Sequence, residues 1–396
     1  MEKLWSQFYD KYARVQTVHV RDFIHTIDWE NRFIGIKGSR GVGKTTLLLQ
    51  YIRLTFESSQ KVLYISLDHL YFLENTLYDF VYDFYKKGGQ FIAIDEVHKY
   101  PNWAIEIKNI YDDMPHLRVV FTGSSLLHIH QAKADLSRRV VMYTMPGLSL
   151  REFIQFETQL KLDYYSLQDL LDNHIAIAME LVQKIKPLQY FESYLDYGYY
   201  PFYLENKKSF HQKLSEVILT VLEVDIPQYA AIPVSNVLLL KKMLAVISGS
   251  VPFKPNMNSI SERTGISLNT MKNYLKLLSD AQLLQLLHVE EKGINSLGKP
   301  EKIFLNNPNL MHNLSAKADK GNLRETFFFN QLQYNHAVFA SRTVDFKVDH
   351  TYEFEIGGRN KKQKQLEACP KYFVVKDDLE IGVQNTIPLW LFGFLY

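Results

Sequence analysis

Nine consecutive residues, Gly38 to Thr46, have the types and spacing of a phosphate-binding loop. They read GSRGVGKTT and fit the pattern G-x-x-x-x-G-K-[ST] without a substitution. Glycines let backbone N–H groups close around phosphate oxygens, and Lys44 can reach the β- and γ-phosphates of a nucleotide. The hydroxyl of Thr45 is suited to bind Mg²⁺. The predicted nucleotide-binding residues are Gly38, Ser39, Arg40, Gly41, Val42, Gly43, Lys44, Thr45 and Thr46.

The residues on either side of this loop supply the structural context that the motif needs. Arg32–Lys37 has the apolar character of a short buried strand, and Thr46–Ile52 begins an apolar helix. A loop between a strand and a helix N-terminus places backbone donors and the helix dipole toward phosphate. A chance match in a glycine-rich loop is the alternative, and the strand and helix favour a nucleoside triphosphate site.

Two carboxylates, Asp95 and Glu96, follow the apolar run Phe91–Ile94. A buried parallel strand delivers such acids to the edge of the sheet where phosphates bind. We expect Asp95 to hold Mg²⁺ directly or through water, and Glu96 to act as general base toward the attacking water. A solvated acidic turn is the alternative. The Asp-Glu pair, without an Asn-Lys-x-Asp motif for guanine, favours ATP hydrolysis.

A third strand, Leu117–Phe121, ends in the polar segment Thr122 to Ser125. A polar side chain here would lie between the phosphate loop and the acidic strand, where it can sense the γ-phosphate through the attacking water. Ser124 is the first candidate and Thr122 the second, with a helix N-cap as the alternative. A further strand, Lys61–Asp68, is placed between the loop and the acidic strand. This alternation predicts an α/β fold with a parallel sheet and helices on both faces.

Three segments, Ile94–Trp103, Thr122–Ser125 and Leu150–Phe153, resemble a large family of bacterial and archaeal AAA-type ATPases that carry a C-terminal domain of unknown function. The resemblance implies an ATPase that uses ATP and Mg²⁺. It also implies a catalytic arginine after the sensor, and Arg139 has that position, although Arg138 stands where a small residue is usual. Such an arginine stabilises transition-state charge in its own chain or in a neighbouring subunit. A solvated basic helix end is the alternative.

Composition narrows the class of protein further. The chain has 396 residues and a formal net charge of +2, so it has no overall polybasic character. Residues 236–396 carry 20 Lys and Arg against 15 Asp and Glu, a weak bias that suits phosphate contacts. The single cysteine, Cys369, excludes an internal disulfide and a cysteine-based zinc site. No signal peptide is visible and no apolar run approaches a membrane span, so we expect a soluble, cytoplasmic protein.

Four domains are predicted along the chain. Residues 1–150 form the AAA-type ATP-binding domain, and residues 151–235 form a helical lid or connector. Residues 236–292 form a winged helix-turn-helix, and residues 293–396 form a small α/β domain that resembles restriction nucleases in a degenerate form. The apolar C-terminal stretch Ile387–Tyr396 is predicted to be a buried strand.

The winged helix is inferred from residues 259–289. Ser259–Gly265 reads as a short helix that ends in a glycine turn, and Ile266–Leu278 reads as a second helix capped by Ser267. Leu283–Val289 is predicted to be the wing strand. The side chains suited to contact duplex DNA are Asn269, Thr270, Lys272, Asn273 and Lys276. Winged helices also dock proteins, so a protein partner is the alternative.

Glu325 on a predicted helix, with Asp345 and Glu355 on adjacent predicted strands, resembles the Mg²⁺-binding acids of the restriction-nuclease-like fold. That fold places a lysine two residues after the second acid, and this chain has Gly357 there. The candidate substitutes are Arg359, Lys361 and Lys362. Without the lysine, water activation and charge stabilisation are both weakened, so we expect packing or nucleic-acid binding rather than cleavage.

Three functions are compatible with these features. The leading hypothesis is an ATP-gated DNA-binding protein, in which Mg²⁺-dependent ATP hydrolysis drives a conformational change in the C-terminal half. The second is a nucleotide-dependent protein-interaction switch with little turnover. The third is an ATP-regulated nuclease. The identity of a protein partner, oligomerisation and the DNA sequence preference stay open at this level.

Overall fold

A computed structural model describes residues 2–56, 61–123, 136, 138–230, 232–249, 257–290, 300–315, 319–358 and 371–396. The chain divides into two compact units, residues 1–147 and residues 148–396. The predicted subdivision of the second unit at residues 235 and 292 stays a prediction.

The N-terminal unit is built on a five-stranded parallel sheet. Its strands are β1 (Phe33–Lys37), β2 (Val62–Ser66), β3 (Phe91–Asp95), β4 (Arg118–Gly123) and β5 (Val141–Thr144). Its helices are α1 (Glu2–Arg14), α2 (Lys44–Thr55), α3 (Leu77–Lys86) and α4 (Trp103–Asp113), with short 3₁₀ turns at Asp22–His25, Leu70–Leu73 and Val97–Lys99. Every residue of β3 is buried, as expected for a parallel strand covered on both faces. The predicted α/β fold with a parallel P-loop sheet is confirmed.

The strand order is β2-β3-β4-β1-β5, and all neighbours are parallel. β4 therefore lies between β1, which leads into the phosphate loop, and β3, which carries the acids. That is the position expected for the strand that ends at Thr122. β2 lies between the phosphate loop and β3 in the chain, as predicted, and in the sheet it is the edge strand beside β3. The connection from β1 through α2 to β2 therefore crosses the positions that β4 and β3 occupy in the sheet.

The C-terminal unit combines helices with two sheets. Its helices are α5 (Leu150–Thr158), α6 (Leu167–Lys184), α7 (Pro187–Ser193), α8 (Phe210–Thr220), α9 (Ile226–Ala230), α10 (Val234–Ser248), α11 (Met257–Thr264), α12 (Leu268–Asp280), α13 (Pro308–Leu314) and α14 (Lys320–Leu332). Its strands are β6 (Leu284–Leu287), β7 (Lys302–Leu305), β8 (Val338–Ala340), β9 (Phe346–Val348), β10 (Tyr352–Gly357), β11 (Tyr372–Lys376) and β12 (Thr386–Pro388). Short π-helical segments span Tyr194–Gly198 and Val221–Asp225, and 3₁₀ segments span Pro201–Leu204, Lys207–Ser209 and Leu389–Phe394. Capping boxes at Ser149 and Ser166 explain where α5 and α6 begin.

The strands of this unit form a hairpin and a mixed sheet. β6 and β7 pair antiparallel, and the larger sheet has the order β12-β11-β10-β9-β8. β8, β9 and β10 are antiparallel neighbours, whereas β11 and β12 continue parallel to β10. α14 packs against β10 and against the 3₁₀ segment near the C-terminus. Of the three predicted nuclease-like acids, Glu325 lies on α14, Glu355 lies on β10 and Asp345 directly precedes β9.

The C-terminal stretch differs from its prediction. Only Thr386–Pro388 is a strand, and Leu389–Phe394 is a 3₁₀ helix whose residues are all buried. A short apolar run does not distinguish a buried strand from a buried helix, and Pro388 ends the ladder here because it has no N–H to donate. Among the described residues, no helix combines the length and the apolar character needed to span a membrane.

Candidate nucleotide and metal site

The phosphate loop connects β1 to α2, as its pattern predicts. Gly41 and Gly43 have φ values of 88° and 97°, in a backbone region that residues other than glycine rarely adopt. Gly43 is the N-cap of α2, so Lys44 and Thr45 occupy the first turn of that helix. The loop backbone therefore curls in front of a helix N-terminus, the geometry that favours an anion.

Two side chains of the loop, Lys44 and Ser39, have environments that fit a phosphate site. The buried Lys44 donates from Nζ to the carbonyl oxygens of Gly38 and Ser39, each at 2.8 Å, which folds its amine over the loop. The hydroxyl of Ser39 is buried and has no hydrogen-bond partner among the described residues. A buried hydroxyl without a partner is costly unless a ligand supplies one. Both features fit a nucleotide phosphate. Arg40 is half-buried in the same loop, and Thr46 is exposed.

Asp95 lies at the end of β3 and accepts hydrogen bonds from three hydroxyls, which we call the hydroxyl cage. Thr45 Oγ1 and Tyr64 Oη both donate to Asp95 Oδ2, at 2.6 and 2.8 Å, and Thr122 Oγ1 donates to Oδ1. Burial, followed by the charge of Asp95, raises the pKa of Tyr64 well above its ordinary value. Tyr64 therefore stays protonated and remains a donor. The cage fixes both carboxylate oxygens while adding no positive charge.

The donor set around Asp95 fits Mg²⁺. A threonine hydroxyl and a carboxylate are hard oxygen ligands, and Mg²⁺ at phosphate sites uses one or two carboxylates together with phosphates and waters. Among the described residues no cluster of three or more His, Cys, Asp or Glu side chains could hold a metal ion. A site with one carboxylate and one hydroxyl is consistent with that finding, because the nucleotide itself supplies further ligands. Thr45 and Asp95 are the residues that would hold the ion.

Glu96 follows Asp95 directly after the last residue of β3. Its φ of 54° is left-handed, an unusual conformation for glutamate that ends the strand and redirects the side chain. The buried His98 lies with Nε2 3.3 Å from Glu96 Oε2. The backbone N–H of Glu96 also points to Thr122 Oγ1, at 3.4 Å. Glu96 is thus held next to Asp95 at the end of β3, and its role as general base stays a prediction.

Arg21 supports the loop from outside the motif. This buried side chain donates to the carbonyls of Val42 and Pro146, each at 3.2 Å, and to that of Gly147 at 2.9 Å. Gly38 approaches the chain that follows β5 so closely that an added Cβ would lie 2.4 Å from the carbonyl oxygen of Met145. Gly38 is therefore required by packing as well as by the phosphate motif.

The two sensor candidates have different outcomes. Thr122 is fully buried, donates to the carboxylate of Asp95 as part of the hydroxyl cage, and accepts from the backbone N–H of Glu96. Ser124, the first choice from the sequence, lies outside the described residues. The geometry places Thr122 at the centre of the site, and a role for Ser124 stays a prediction.

The structure does not bring Arg139 to the phosphate loop. β5 runs parallel to β1 with Val141 opposite Ile34, so Arg139 lies beside the start of β1, whereas the loop follows its end. The intervening strand length is about 15 Å. Arg139 Nε and Nη2 donate to the carboxylate of Asp112 at 3.0 and 3.2 Å, and these bonds lower the pKa of Asp112. The predicted action on the nucleotide of its own chain does not fit this position. Donation to a neighbouring subunit, by Arg139 or the exposed Arg138, stays a prediction.

The acids of the predicted nuclease-like site are joined by a lysine that the sequence pattern did not reveal. Lys302, at the start of β7, lies with Nζ 3.1 Å from Glu325 Oε2 and 3.6 Å from Asp345 Oδ1. Asp345 also accepts from the backbone N–H of Ile356 at 2.8 Å. Glu355 is buried and accepts from the hydroxyl of Tyr372 at 3.4 Å. Glu325 and Asp345 therefore meet through a cation of the chain itself. Arg359, Lys361 and Lys362 lie outside the described residues.

The predicted DNA-contacting residues lie on α12. Ser267 caps this helix by accepting from the backbone N–H of Thr270, and Gly265 adopts a left-handed φ of 72° in the preceding turn. Asn269, Lys272, Asn273 and Lys276 are exposed and Thr270 is half-buried, whereas Met271, Tyr274, Leu275 and Leu278 are buried. α12 packs against α11 and β6, so its polar face is directed away from the packed side.

Comparison with known families identifies two regions of the chain. Residues 30–154 match a family model described as an AAA domain, and residues 188–321 match a model of a domain of unknown function, DUF8612. Together with the phosphate loop and the acidic strand, the first match shows an AAA-type P-loop ATPase domain in the N-terminal unit. A search of curated proteins finds no match to the chain.

Solved structures with a similar chain path are distant. A Walker-type ATPase of Pyrococcus abyssi is 14% identical, with a TM-score of 0.39 over 72% of this chain and 91% of that chain. AMPPCP-bound DnaA from Aquifex aeolicus is 15% identical, with a TM-score of 0.27 over 65% of this chain and 84% of that chain. The replication initiator DnaA bound to AMPPCP and single-stranded DNA is 16% identical, with a TM-score of 0.27 over 69% and 88%. These values are too low to transfer a ligand to this chain.

Proposed function

We propose that the N-terminal unit hydrolyses ATP with Mg²⁺, and that turnover drives a conformational change in a C-terminal half that binds duplex DNA. One observation carries the hydrolytic part. The phosphate loop, the hydroxyl cage around Asp95 and the neighbouring residue Glu96 lie together where β1, β3 and β4 end. Ligands of parallel α/β sheets bind at this edge.

Each residue of the site has a distinct role in this proposal. Lys44 neutralises charge on the β- and γ-phosphates, and Thr45 with Asp95 holds Mg²⁺. The bound ion would supply charge neutralisation as the bond from the γ-phosphorus to its bridging oxygen breaks. Glu96 accepts the proton of the attacking water, and His98, 3.3 Å away, restrains its carboxylate.

The first experiment is ATP hydrolysis by wild-type protein and by Glu96→Gln, each with and without duplex DNA. Glutamine keeps the size of the side chain but cannot accept the water proton. We expect turnover to fall about 100-fold or more while nucleotide binding is retained. Glu74→Gln is the matched control, because Glu74 is an exposed glutamate of the same unit. Stimulation of wild-type turnover by DNA would join the two halves of the proposal.

Two results would redirect the interpretation. Full turnover in Glu96→Gln contradicts its role as general base. Tight nucleotide binding with no turnover in any sample favours the nucleotide-dependent protein-interaction switch. The second result leaves the phosphate site intact and removes only the hydrolytic claim.

The DNA-binding part rests on the arrangement of α10, α11 and α12 with the β6–β7 hairpin. α10 packs on α11, α11 packs on α12, and an antiparallel hairpin follows, which is the order of a winged helix. The polar face of α12 is exposed while its apolar face is buried. Asparagine and lysine on a second helix after a glycine turn suit base edges and phosphates in a major groove.

A charge-reversal experiment tests this part. Replacing both Lys272 and Lys276 by Glu should weaken binding to duplex DNA and reduce the slope of log affinity against log salt by about 2. The measurement is fluorescence anisotropy of a labelled duplex at several salt concentrations. The matched control is Lys186→Glu with Lys208→Glu, two exposed lysines of the same unit outside the winged helix. Equal loss in both double variants would indicate non-specific charge attraction, and no wild-type binding would favour a protein partner.

A further inference from the structure

Tyr64 is a buried residue of β2 that reaches the metal-site carboxylate on the next strand. Its hydroxyl donates to Asp95 Oδ2 at 2.8 Å, the same oxygen that accepts from Thr45 at 2.6 Å. In the parallel register Tyr64 lies opposite Ala93, and Asp95 is two residues further along β3. Residues two apart on a strand share a face, and alanine is the smallest residue of β3. The tyrosine ring can therefore extend past Ala93 to Asp95.

Lys11 connects this tyrosine to the N-terminal helix α1. Its Nζ lies 3.4 Å from Tyr64 Oη and 4.7 Å from the centroid of the Tyr64 ring. An ammonium group only donates, and a phenol has one proton to give. Tyr64 therefore accepts from Lys11 and directs its own proton to Asp95. The hydrogen bonds run in one direction, from α1 through β2 to β3.

We propose that Tyr64 is a positioning residue for the magnesium site and that Lys11 of α1 orients it. This inference rests on the proposed function, because Asp95 is the carboxylate that would hold the ion. Thr45 is itself a candidate metal ligand, so its hydroxyl would contact both Asp95 and the ion. Tyr64 and Thr122 are the two cage hydroxyls that are not candidate metal ligands, and both donate to Asp95. Because both are neutral, they restrain the carboxylate without competing with the charge of a divalent ion.

The proposal gives α1 a direct connection to the nucleotide chemistry. α1 packs against β2, and Lys11 is the residue through which a shift of the helix would be transmitted to Asp95. The groove between α1 and the end of β2 is lined by Gln7, Lys11, Tyr64, Ser66 and Asp68, among others. A shift of α1 at this groove would therefore alter the affinity for magnesium without requiring a change in the phosphate loop.

The test separates magnesium binding from nucleotide binding. A fluorescent, slowly hydrolysed ATP analogue is titrated into wild-type protein, Tyr64→Phe and Lys11→Met, first in EDTA and then at increasing Mg²⁺. In Tyr64→Phe we expect unchanged affinity in EDTA and a rise of about fivefold to tenfold in the Mg²⁺ concentration at half-maximal effect. One intramolecular hydrogen bond of typical net strength corresponds to a factor of that size. Lys11→Met should give a smaller rise in the same direction.

Tyr100→Phe is the matched control, because its hydroxyl donates to Glu106 Oε1 at 2.9 Å in the same unit. It removes a tyrosine–carboxylate bond outside the site and should leave the Mg²⁺ dependence unchanged. A wild-type Mg²⁺ dependence in Tyr64→Phe would overturn the proposal, and so would an equal loss of affinity in EDTA and Mg²⁺. If the wild-type protein binds the analogue with the expected Mg²⁺ dependence but does not hydrolyse ATP, only the proposed hydrolysis is contradicted. The absence of any Mg²⁺ effect on wild-type binding would overturn both.

Discussion

The two acidic clusters of this chain differ in what holds their carboxylates. In the N-terminal unit, Asp95 is surrounded by the neutral donors of the hydroxyl cage. In the C-terminal unit, Glu325 and Asp345 are bridged by the ammonium group of Lys302. Both clusters are formed by acids that the sequence identified as candidates for Mg²⁺. The partners, rather than the acids, distinguish their chemistry.

A neutral donor and a cation have opposite consequences for metal binding. Hydroxyls restrain Asp95 but leave its negative charge available to a divalent ion. Lys302 neutralises charge in the space between its two acids, at 3.1 and 3.6 Å, so an incoming ion has to displace it. The side chains of Lys302, Glu325 and Asp345 are only 14%, 18% and 23% exposed, which strengthens their mutual attraction relative to a surface pair. We infer a metal site in the first cluster and a structural ion pair in the second.

The largest expected difference between the two clusters appears when one carboxylate is neutralised in each of them. Asp95→Asn should abolish the Mg²⁺ dependence of nucleotide binding and reduce ATP turnover by about 100-fold or more, because the metal loses its carboxylate. Asp345→Asn should leave both quantities unchanged. The measurements are the analogue titration in EDTA and Mg²⁺ and steady-state phosphate release.

Each cluster can contradict this contrast separately. Retained Mg²⁺ dependence in Asp95→Asn would remove Asp95 from the metal site. Cutting of plasmid DNA by wild-type protein in Mg²⁺ that is lost in Asp345→Asn would show that Lys302 yields to a metal. The nuclease hypothesis would then replace the structural interpretation of the second cluster.

The parts of the nucleotide site that are contiguous in the chain could be predicted from sequence. Gly38 to Thr46 form one loop, and Asp95 and Glu96 follow one apolar strand, so local pattern is sufficient. Tyr64 was missed because a tyrosine in a buried strand usually serves packing. The contact depends on the pairing register of β2 with β3, in which Tyr64 lies two residues before the residue opposite Asp95. That register cannot be predicted from the sequence of either strand alone.

The C-terminal unit shows the limit more clearly. Lys302 is 23 residues from Glu325 and 43 residues from Asp345, so no local spacing joins them. The N-terminal unit shows the same limit, because Arg139 has a family position in sequence, yet the register of β5 with β1 places it near the start of β1, whereas the phosphate loop follows the end of β1. Helix and strand types depend on local pattern, whereas these partnerships depend on how distant elements pair.

The smallest effect is expected from breaking the ion pair of the second cluster. Lys302→Met removes the ammonium group that lies between Glu325 and Asp345 and 5.7 Å from the centroid of the Phe346 ring. We expect the free energy of unfolding to fall by about 1–2 kcal/mol, less than for a fully buried pair. Urea unfolding of the full chain measures it, with Lys184→Met as control. Lys184 pairs with Glu180 on the surface of α6, where such pairs contribute about 0–1 kcal/mol.

A second substitution shows whether charge is the cause. Adding Glu325→Gln to Lys302→Met removes one of the two facing charges, so part of the lost stability should return if repulsion between the acids dominates. An additive double variant would mean that the ammonium and Glu325 act independently. In that case Lys302 would contribute through its cation–π contact with Phe346, and the contrast between the two clusters would rest on the hydroxyl cage alone.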